Sequence, residues 1–186
     1  MGYNNSDWDH IQEAQDSYAI RRQFDIDHGA CLYGIMKLFV GCRGDVLDVG
    51  CGKIDNHYID GSNNITGIDP LHSTIDRFTV LQGHAECMPF EDNSFDAVVA
   101  ASSLDHVKDV NKALSEITRV MKPDAHFYLY SSVWNTPTID KRHTYSWTSD
   151  ELFELLGEYF IVNRYIWYVN TLTIPVLFYD GITEDT

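Results

Sequence analysis

The sequence predicts an α/β domain built on a largely parallel sheet, and three observations point there. Short apolar runs bounded by turn residues recur along the chain, with helical apolar stripes between and after them. The first clear run, Asp45-Val46-Leu47-Asp48-Val49, ends in Gly50-Cys51-Gly52, a turn that lets a ligand approach the backbone. The second, Ile65-Thr66-Gly67-Ile68-Asp69, ends in a carboxylate suited to accept hydrogen bonds from ribose hydroxyls. Together they imply an adenosine-containing ligand at the carboxyl ends of parallel strands.

Taken in order, Ala30, Leu32, Tyr33, Ile35, Met36, Phe39 and Val40 recur at helical spacing and predict a helix ending near Gly41. Strands are expected at 46–50, 65–69, 78–82, 95–101 and 126–131. The crossover from Gly52 to Ile65 is short and leaves room for a helix of only about two turns. Between the fourth and fifth strands, Val110, Ala113, Leu114, Ile117, Val120 and Met121 fall on one helical face, and Pro123 closes it. Asn135-Thr136-Pro137-Thr138 reads as a loop. Thr148-Ser149-Asp150-Glu151 spells a capping box that opens a helix through Leu152, Phe153, Leu155 and Leu156 to Gly157. Two more strands are expected near 160–168 and 175–180, the latter begun by Pro175, which has no amide to donate.

Composition narrows the function. A chain of 186 residues suits one domain with a sizeable core. No run of about 18 apolar residues exists, and Met1–Gln15 lacks the apolar segment of a signal peptide, so neither membrane insertion nor secretion is expected. The four cysteines (Cys31, Cys42, Cys51, Cys87) show no C-x-x-C spacing, which argues against zinc ribbons and redox pairs and fits a reducing cytoplasm. The net charge of −15, from 28 acidic against 13 basic residues, speaks against a nucleic-acid partner. Arg21-Arg22 and Lys141-Arg142-His143 are short enough to be solvated surface.

The block Gly83-His84-Ala85-Glu86-Cys87-Met88-Pro89-Phe90-Glu91-Asp92-Asn93-Ser94-Phe95-Asp96, read with Leu47-Asp48-Val49-Gly50-Cys51-Gly52, resembles the class I S-adenosylmethionine-dependent methyltransferases, small-molecule branch (methyltransferase type 11-like). The resemblance covers roughly Asp45 to Gly181. It implies a Rossmann-like three-layer sandwich whose seven-stranded sheet is mostly parallel, with the last strand antiparallel. It also implies an N-terminal helical segment over 1–43, a cofactor-binding domain over 44–186, S-adenosylmethionine as cofactor and S-adenosylhomocysteine as product. The expected function is methyl transfer to the oxygen or nitrogen of a small-molecule acceptor, by a cytoplasmic enzyme.

By the same resemblance, Asp48, Gly50, Cys51 and Gly52 surround the methionyl part of the cofactor. Asp69 holds the ribose, with Pro70 beside the adenine, and His84 and Ala85 contact the adenine edge. Ala101 and Ser102 lie under the methionyl group and the reacting methyl. His106, with Asp105, is the candidate base for a hydroxyl acceptor, competing with a role in orienting its own loop. His143, Tyr145 and Trp147 are expected to line the acceptor pocket, although aromatics at this spacing also serve to seal a sheet edge.

The run Ser102-Ser103-Leu104-Asp105-His106 matches a metal-binding E-x-x-E-H of some relatives in its last two residues only. Ser102 replaces the first carboxylate, and magnesium asks for oxygen-rich ligation, so no metal is expected. Ile54 stands where the third glycine of the turn is usual, and His84 where an acidic residue is usual. These departures motivate a second reading, a non-catalytic module that binds the cofactor on the same scaffold. A nicotinamide-dependent oxidoreductase is disfavoured, because Asp55 breaks the G-x-G-x-x-G pattern.

Overall fold

The computed structural model describes residues 41, 43–52, 59, 63–71, 76, 78–134, 143–169 and 175–183. Seven strands form one sheet: β1 (Asp45–Val49), β2 (Asn64–Asp69), β3 (Thr79–Gln82), β4 (Phe95–Ala101), β5 (Met121–Ser132), β6 (Ile161–Val169) and β7 (Pro175–Ile182). Among the described residues two helices accompany them, α1 (Val110–Val120) and α2 (Ser149–Gly157), with a 3₁₀ turn at Leu104–His106. The order across the sheet is β3-β2-β1-β4-β5-β7-β6. Strands β1 to β5 pair in parallel, while β7 runs antiparallel to both β5 and β6. This is the Rossmann-like sheet expected from the sequence. The expected N-terminal helix, Ile54 and the short crossover helix lie outside the described residues.

Parallel strands demand burial on both faces, and the sequence supplies it. Leu47, Val49, Val98, Ala100, Phe127 and Leu129 point into one continuous apolar cluster, which also takes Val110, Ala113, Leu114, Ile117 and Val120 from α1. Residues of opposite parity on the same strands, Val46, Ala97, Val99 and Tyr128, are buried as well. Full burial of each such aliphatic side chain is worth about 1.5–3 kcal/mol against conformational entropy. Helix α1 starts where the Asp109 carboxylate accepts the Lys112 amide. Helix α2 starts at a complete capping box: Thr148 caps the Glu151 amide, and the Glu151 carboxylate returns to the Thr148 amide at 2.8 Å.

Strand β5 begins earlier than Pro123 suggested. Met121 already pairs with Phe95, and pairing resumes at His126 with Ala97. Lys122, Pro123, Asp124 and Ala125 bulge between those partners, with Asp124 at a φ of 60°. The bulge places Pro123 where no ladder hydrogen bond is required of it.

Strand order reverses between β1 and β4, so the chain leaves these neighbours in opposite directions and opens a crevice at their carboxyl ends. Asp48 to Gly52, Asp69, the turn after β3, and Ala101–Ser102 all gather on that edge.

Candidate active site

The turn after β1 is built around glycine. Gly50 and Gly52 adopt φ of 71° and 68°, a left-handed conformation that other residues reach only at a cost. A Cβ on Gly50 would fall 2.3 Å from the Ser103 Cβ. At Gly52 a Cβ would meet nothing within 4 Å among the described residues. The turn is tied to β2 through Ile68, whose carbonyl accepts the Gly50 amide at 2.8 Å and the Cys51 amide at 3.4 Å.

Asp69 fastens the same turn from its side chain. One carboxylate oxygen accepts the Gly52 amide at 2.8 Å, and the other accepts the Leu71 amide at 2.8 Å. Asp69 is only 6% exposed and Asp48, on the neighbouring strand, 2%. Two carboxylates are thus held at low exposure beside the glycine turn. Burial, then the nearby charges of Asp48 and Asp69, push the Cys51 thiol far above its ordinary range. Cys51 is therefore an inert packing residue, and its sulfur fills the space that a side chain at position 67 would need, 2.6 Å from a Cβ built on Gly67.

Pro70 is half-buried, and its carbonyl accepts the Gln82 side-chain amide at 3.1 Å. His84 is exposed, its carbonyl closing a tight turn with the Cys87 amide at 3.1 Å. Ala85 packs into the core cluster. At the end of β4, Ala101 is half-buried, and Ser102 is exposed with a φ of 57°, a strained setting for a residue with a side chain. Its amide is anchored on the Tyr130 carbonyl at 2.8 Å.

The acceptor-side residues come together in part. Asp105, 4% exposed, lies between His106 and His143, each with its Nε2 at 3.7 Å from a carboxylate oxygen. The two imidazoles stack with centroids 4.6 Å apart. Backbone bonds hold the distant segment in place, because the Asp105 carbonyl accepts the amides of Thr144 at 2.9 Å and Tyr145 at 3.0 Å. Trp147 and Tyr145, expected to line the acceptor pocket, both hold packing positions in the structure. Trp147 is 3% exposed, packed in the core, and its indole N–H donates to the Ser131 hydroxyl at 3.1 Å. The Tyr145 hydroxyl takes the Val110 amide at 3.2 Å and donates to the Lys108 carbonyl at 3.1 Å. Both rings brace the segment that carries His143, because an apolar ring gains more from packing than from facing water.

Four supporting residues were not singled out from sequence. The Ser103 hydroxyl donates to the Val49 carbonyl at 2.6 Å, joining the loop after β4 to the glycine turn. Glu86 accepts the amides of Lys108 and Asp109 at 2.6 and 3.1 Å. Arg119 bonds Glu116, Asp92 and the carbonyls of Phe90 and Met88, while Glu116 accepts the Met88 amide at 2.8 Å. The Met88-Pro89-Phe90 block is thereby clamped to α1. The i,i+3 spacing of Glu116 and Arg119 was the available signal for that pair.

This geometry can be set beside known proteins. The family described as "Methyltransferase domain" matches residues 47–129. The match covers less than half of the chain, and it is a methyltransferase domain that these residues resemble. The domain is similar to a ubiquinone/menaquinone biosynthesis C-methyltransferase of Brucella canis, at 44% identity over 68 residues, which is 36% of this chain and 25% of that one. An uncharacterized methyltransferase of Mycobacterium bovis shares 33% identity over 121 residues, 60% of this chain and 46% of the relative. The chain thus spans less than half the length of either curated relative. In three dimensions it resembles the Burkholderia thailandensis 1,6-didemethyltoxoflavin-N1-methyltransferase, solved with its substrate and S-adenosylhomocysteine. The TM-score is 0.77 at 17% identity, over 94% of this chain and 87% of the other, a likeness of fold. Among the described residues, no helix is long and apolar enough to cross a membrane.

Proposed function

We propose that the chain transfers the methyl group of S-adenosylmethionine to a small-molecule acceptor in the cytoplasm. The observation that carries this reading is the pair of buried carboxylates, Asp48 and Asp69, beside a turn whose Gly50 and Gly52 both adopt a left-handed φ. The residues fit the cofactor. Asp69 is oriented by two backbone amides and retains lone pairs for ribose hydroxyls. Gly50, Cys51 and Gly52 allow close backbone approach by the methionyl group, with Asp48 behind them. Pro70, His84 and Ala85 border the adenine, and Ala101 and Ser102 lie below the transferring methyl.

The bound sulfonium supplies an activated methyl group and its own leaving group. The protein's task is then to align the acceptor with the methyl–sulfur axis and to exclude water, which supplies most of the acceleration. His106, with Asp105 beside it, takes the proton from a hydroxyl or ammonium acceptor, and His143 completes the polar wall. The Brucella relative is named as a C-methyltransferase, and the Burkholderia structure is an N-methyltransferase, so the acceptor atom has to be found by assay. The 28 acidic residues favour a small neutral or cationic acceptor over a polyanion.

Calorimetric titration with S-adenosylmethionine and S-adenosylhomocysteine tests the reading, on the wild type and on Asp69→Asn. The amide keeps one acceptor oxygen for the turn but loses the charge and half the capacity for ribose. Micromolar binding that weakens at least about tenfold in the variant supports the site. Absence of binding to folded wild-type protein overturns it.

A further inference from the structure

Asp105, His106 and His143 do more than line a pocket. Their three ligand-type atoms lie within 4.8 Å of one another, at the mouth of the loop that Ser103 ties to the glycine turn. We propose that they form a binding site for one divalent first-row transition ion, zinc or cobalt in character. The ion site stands on this geometry alone, whereas its part in turnover rests on the methyl-transfer reading above.

Burial is the first argument. Asp105 Oδ1 is shut off from solvent and has no hydrogen-bond partner among the described residues. A buried carboxylate oxygen left in that condition is costly unless a cation meets it. The Nε2 atoms of His106 and His143 each stop at 3.7 Å from Asp105, beyond hydrogen-bond reach. The same chain makes a closed histidine–aspartate pair elsewhere, His126 Nδ1 to Asp180 Oδ1 at 2.7 Å, so the wider spacing around Asp105 is a local property. The two imidazoles stack with centroids 4.6 Å apart, which puts both rings on the same side of the cluster.

Spacing is the second. Metal–ligand bonds of about 2.0–2.1 Å in a tetrahedron put ligand atoms roughly 3.3 Å apart. The two 3.7 Å distances run to different Asp105 oxygens, and the three-atom set closes from at most 4.8 Å, a movement of up to about 1.5 Å by side-chain rotation. The site is anchored from both directions: His106 sits in the 3₁₀ turn, and the His143 segment hangs on the Asp105 carbonyl through the amides of Thr144 and Tyr145.

Donor type decides the ion. From sequence alone, Ser102 in place of a carboxylate made magnesium ligation poor. The fold answers with a second imidazole from a distant segment, giving two nitrogens and one oxygen, a set that suits zinc, cobalt or iron(II) over magnesium. Three protein ligands leave at least one position for an acceptor oxygen. With the ion bound, His106 is a ligand and no longer the base. An acceptor hydroxyl on the ion then gives its proton to water at lower pH, and its oxygen bonds to the methyl carbon as the carbon–sulfur bond breaks.

The test is titration of the full chain with zinc and cobalt(II), followed by calorimetry and by cobalt's visible absorption. Wild type, His106→Gln, His143→Gln and Asp105→Asn are compared, each checked for folding by circular dichroism. One ion per wild-type chain is expected, with affinity at least about tenfold weaker in each variant. Should Asp105→Asn fail to fold, His143→Gln carries the comparison, since its ring is on a partly exposed segment. Wild-type affinity that survives His143→Gln, or no binding at submillimolar ion, overturns the proposal. S-adenosylhomocysteine titrated into the same samples separates the two readings. Cofactor binding without ion binding sinks the ion site and leaves methyl transfer standing, and the converse result does the reverse.

Discussion

Ser103 occupies the space that a side chain on Gly50 would need. Its Cβ stands 2.3 Å from the Cβ built on that glycine, while its hydroxyl holds the Val49 carbonyl at 2.6 Å. Two adjoining glycines in one turn are therefore predicted to fail differently. Gly50→Ala meets both a left-handed φ and a backbone-anchored neighbour, and should lower stability by about 2–4 kcal/mol in urea unfolding. Gly52→Ala meets only the φ penalty, about 1–2 kcal/mol. Its methyl meets none of the described residues within 4 Å, so its main effect should be lost S-adenosylhomocysteine affinity in calorimetry.

Arg119 joins α1 to the Met88–Asp92 block through charged hydrogen bonds and two backbone carbonyls. Arg119→Ala should cost on the order of 2–3 kcal/mol, measured by chemical denaturation, because the Glu116 carboxylate loses its partner. Arg119→Lys should recover little, since an ammonium cannot span the same fork of acceptors.

The same pair predicts a pH limb. The Arg119 hydrogen bond, helped by the Met88 amide, holds Glu116 below its ordinary value of 4.5. A depressed carboxylate contributes stability that is fully present above the unfolded value and is lost as pH falls through the folded one. Denaturation midpoints should therefore decline below about pH 4.5, with Glu116→Gln declining less steeply over the same window. An identical slope in the variant would remove Glu116 from the account.

Tyr145→Phe separates bracing from acceptor binding. Removing a hydroxyl that takes the Val110 amide and donates to the Lys108 carbonyl should cost about 1 kcal/mol of stability. Once an acceptor is known, its KM should change little. A large rise in KM at unchanged stability would return Tyr145 to the pocket wall.

Asp180 is fully buried and accepts from His126, Asn163 and Arg164 at 2.7, 2.8 and 3.0 Å. Replacing His126 and Arg164 together by Ala strips the buried carboxylate of two of these three partners, leaving the Asn163 amide, and should cost about 3 kcal/mol. Adding Asp180→Asn to that background should recover part of the loss, which thermal unfolding of the three proteins would show.

Much of this was readable from the chain, for identifiable reasons. Strands β1, β2 and β4 announce themselves because a buried parallel strand must be apolar on both faces. The α2 start was legible because Thr148 and Glu151 act locally, within one turn. Gly50 and Gly52 stood out because the turn needs a left-handed φ there, and Asp48 and Asp69 because they are carboxylates placed in or at the end of apolar strands. The meeting of His143 with Asp105 was not legible. It depends on two amides finding one carbonyl across a long sequence separation, and nothing local in His143-Thr144-Tyr145 encodes that. Trp147 was ambiguous for a different reason, since an aromatic ring suits a cleft and a core equally until the Ser131 hydroxyl and its burial are seen. Pro123 misled because a bulge can absorb a residue that a regular ladder excludes.

The insertion of β7 between β5 and β6 has a consequence for how the molecule is made. As the chain leaves the ribosome, residues 161–169 emerge before residues 175–182, yet β6 reaches the sheet only through β7. The nascent protein therefore carries an orphan strand, with Ile161, Val162 and Tyr165 open to solvent even in the finished fold, until the next strand arrives to seat it. Sheet completion on this side of the molecule waits for β7, and this is where a stalled or clipped chain is most prone to stick to its neighbours.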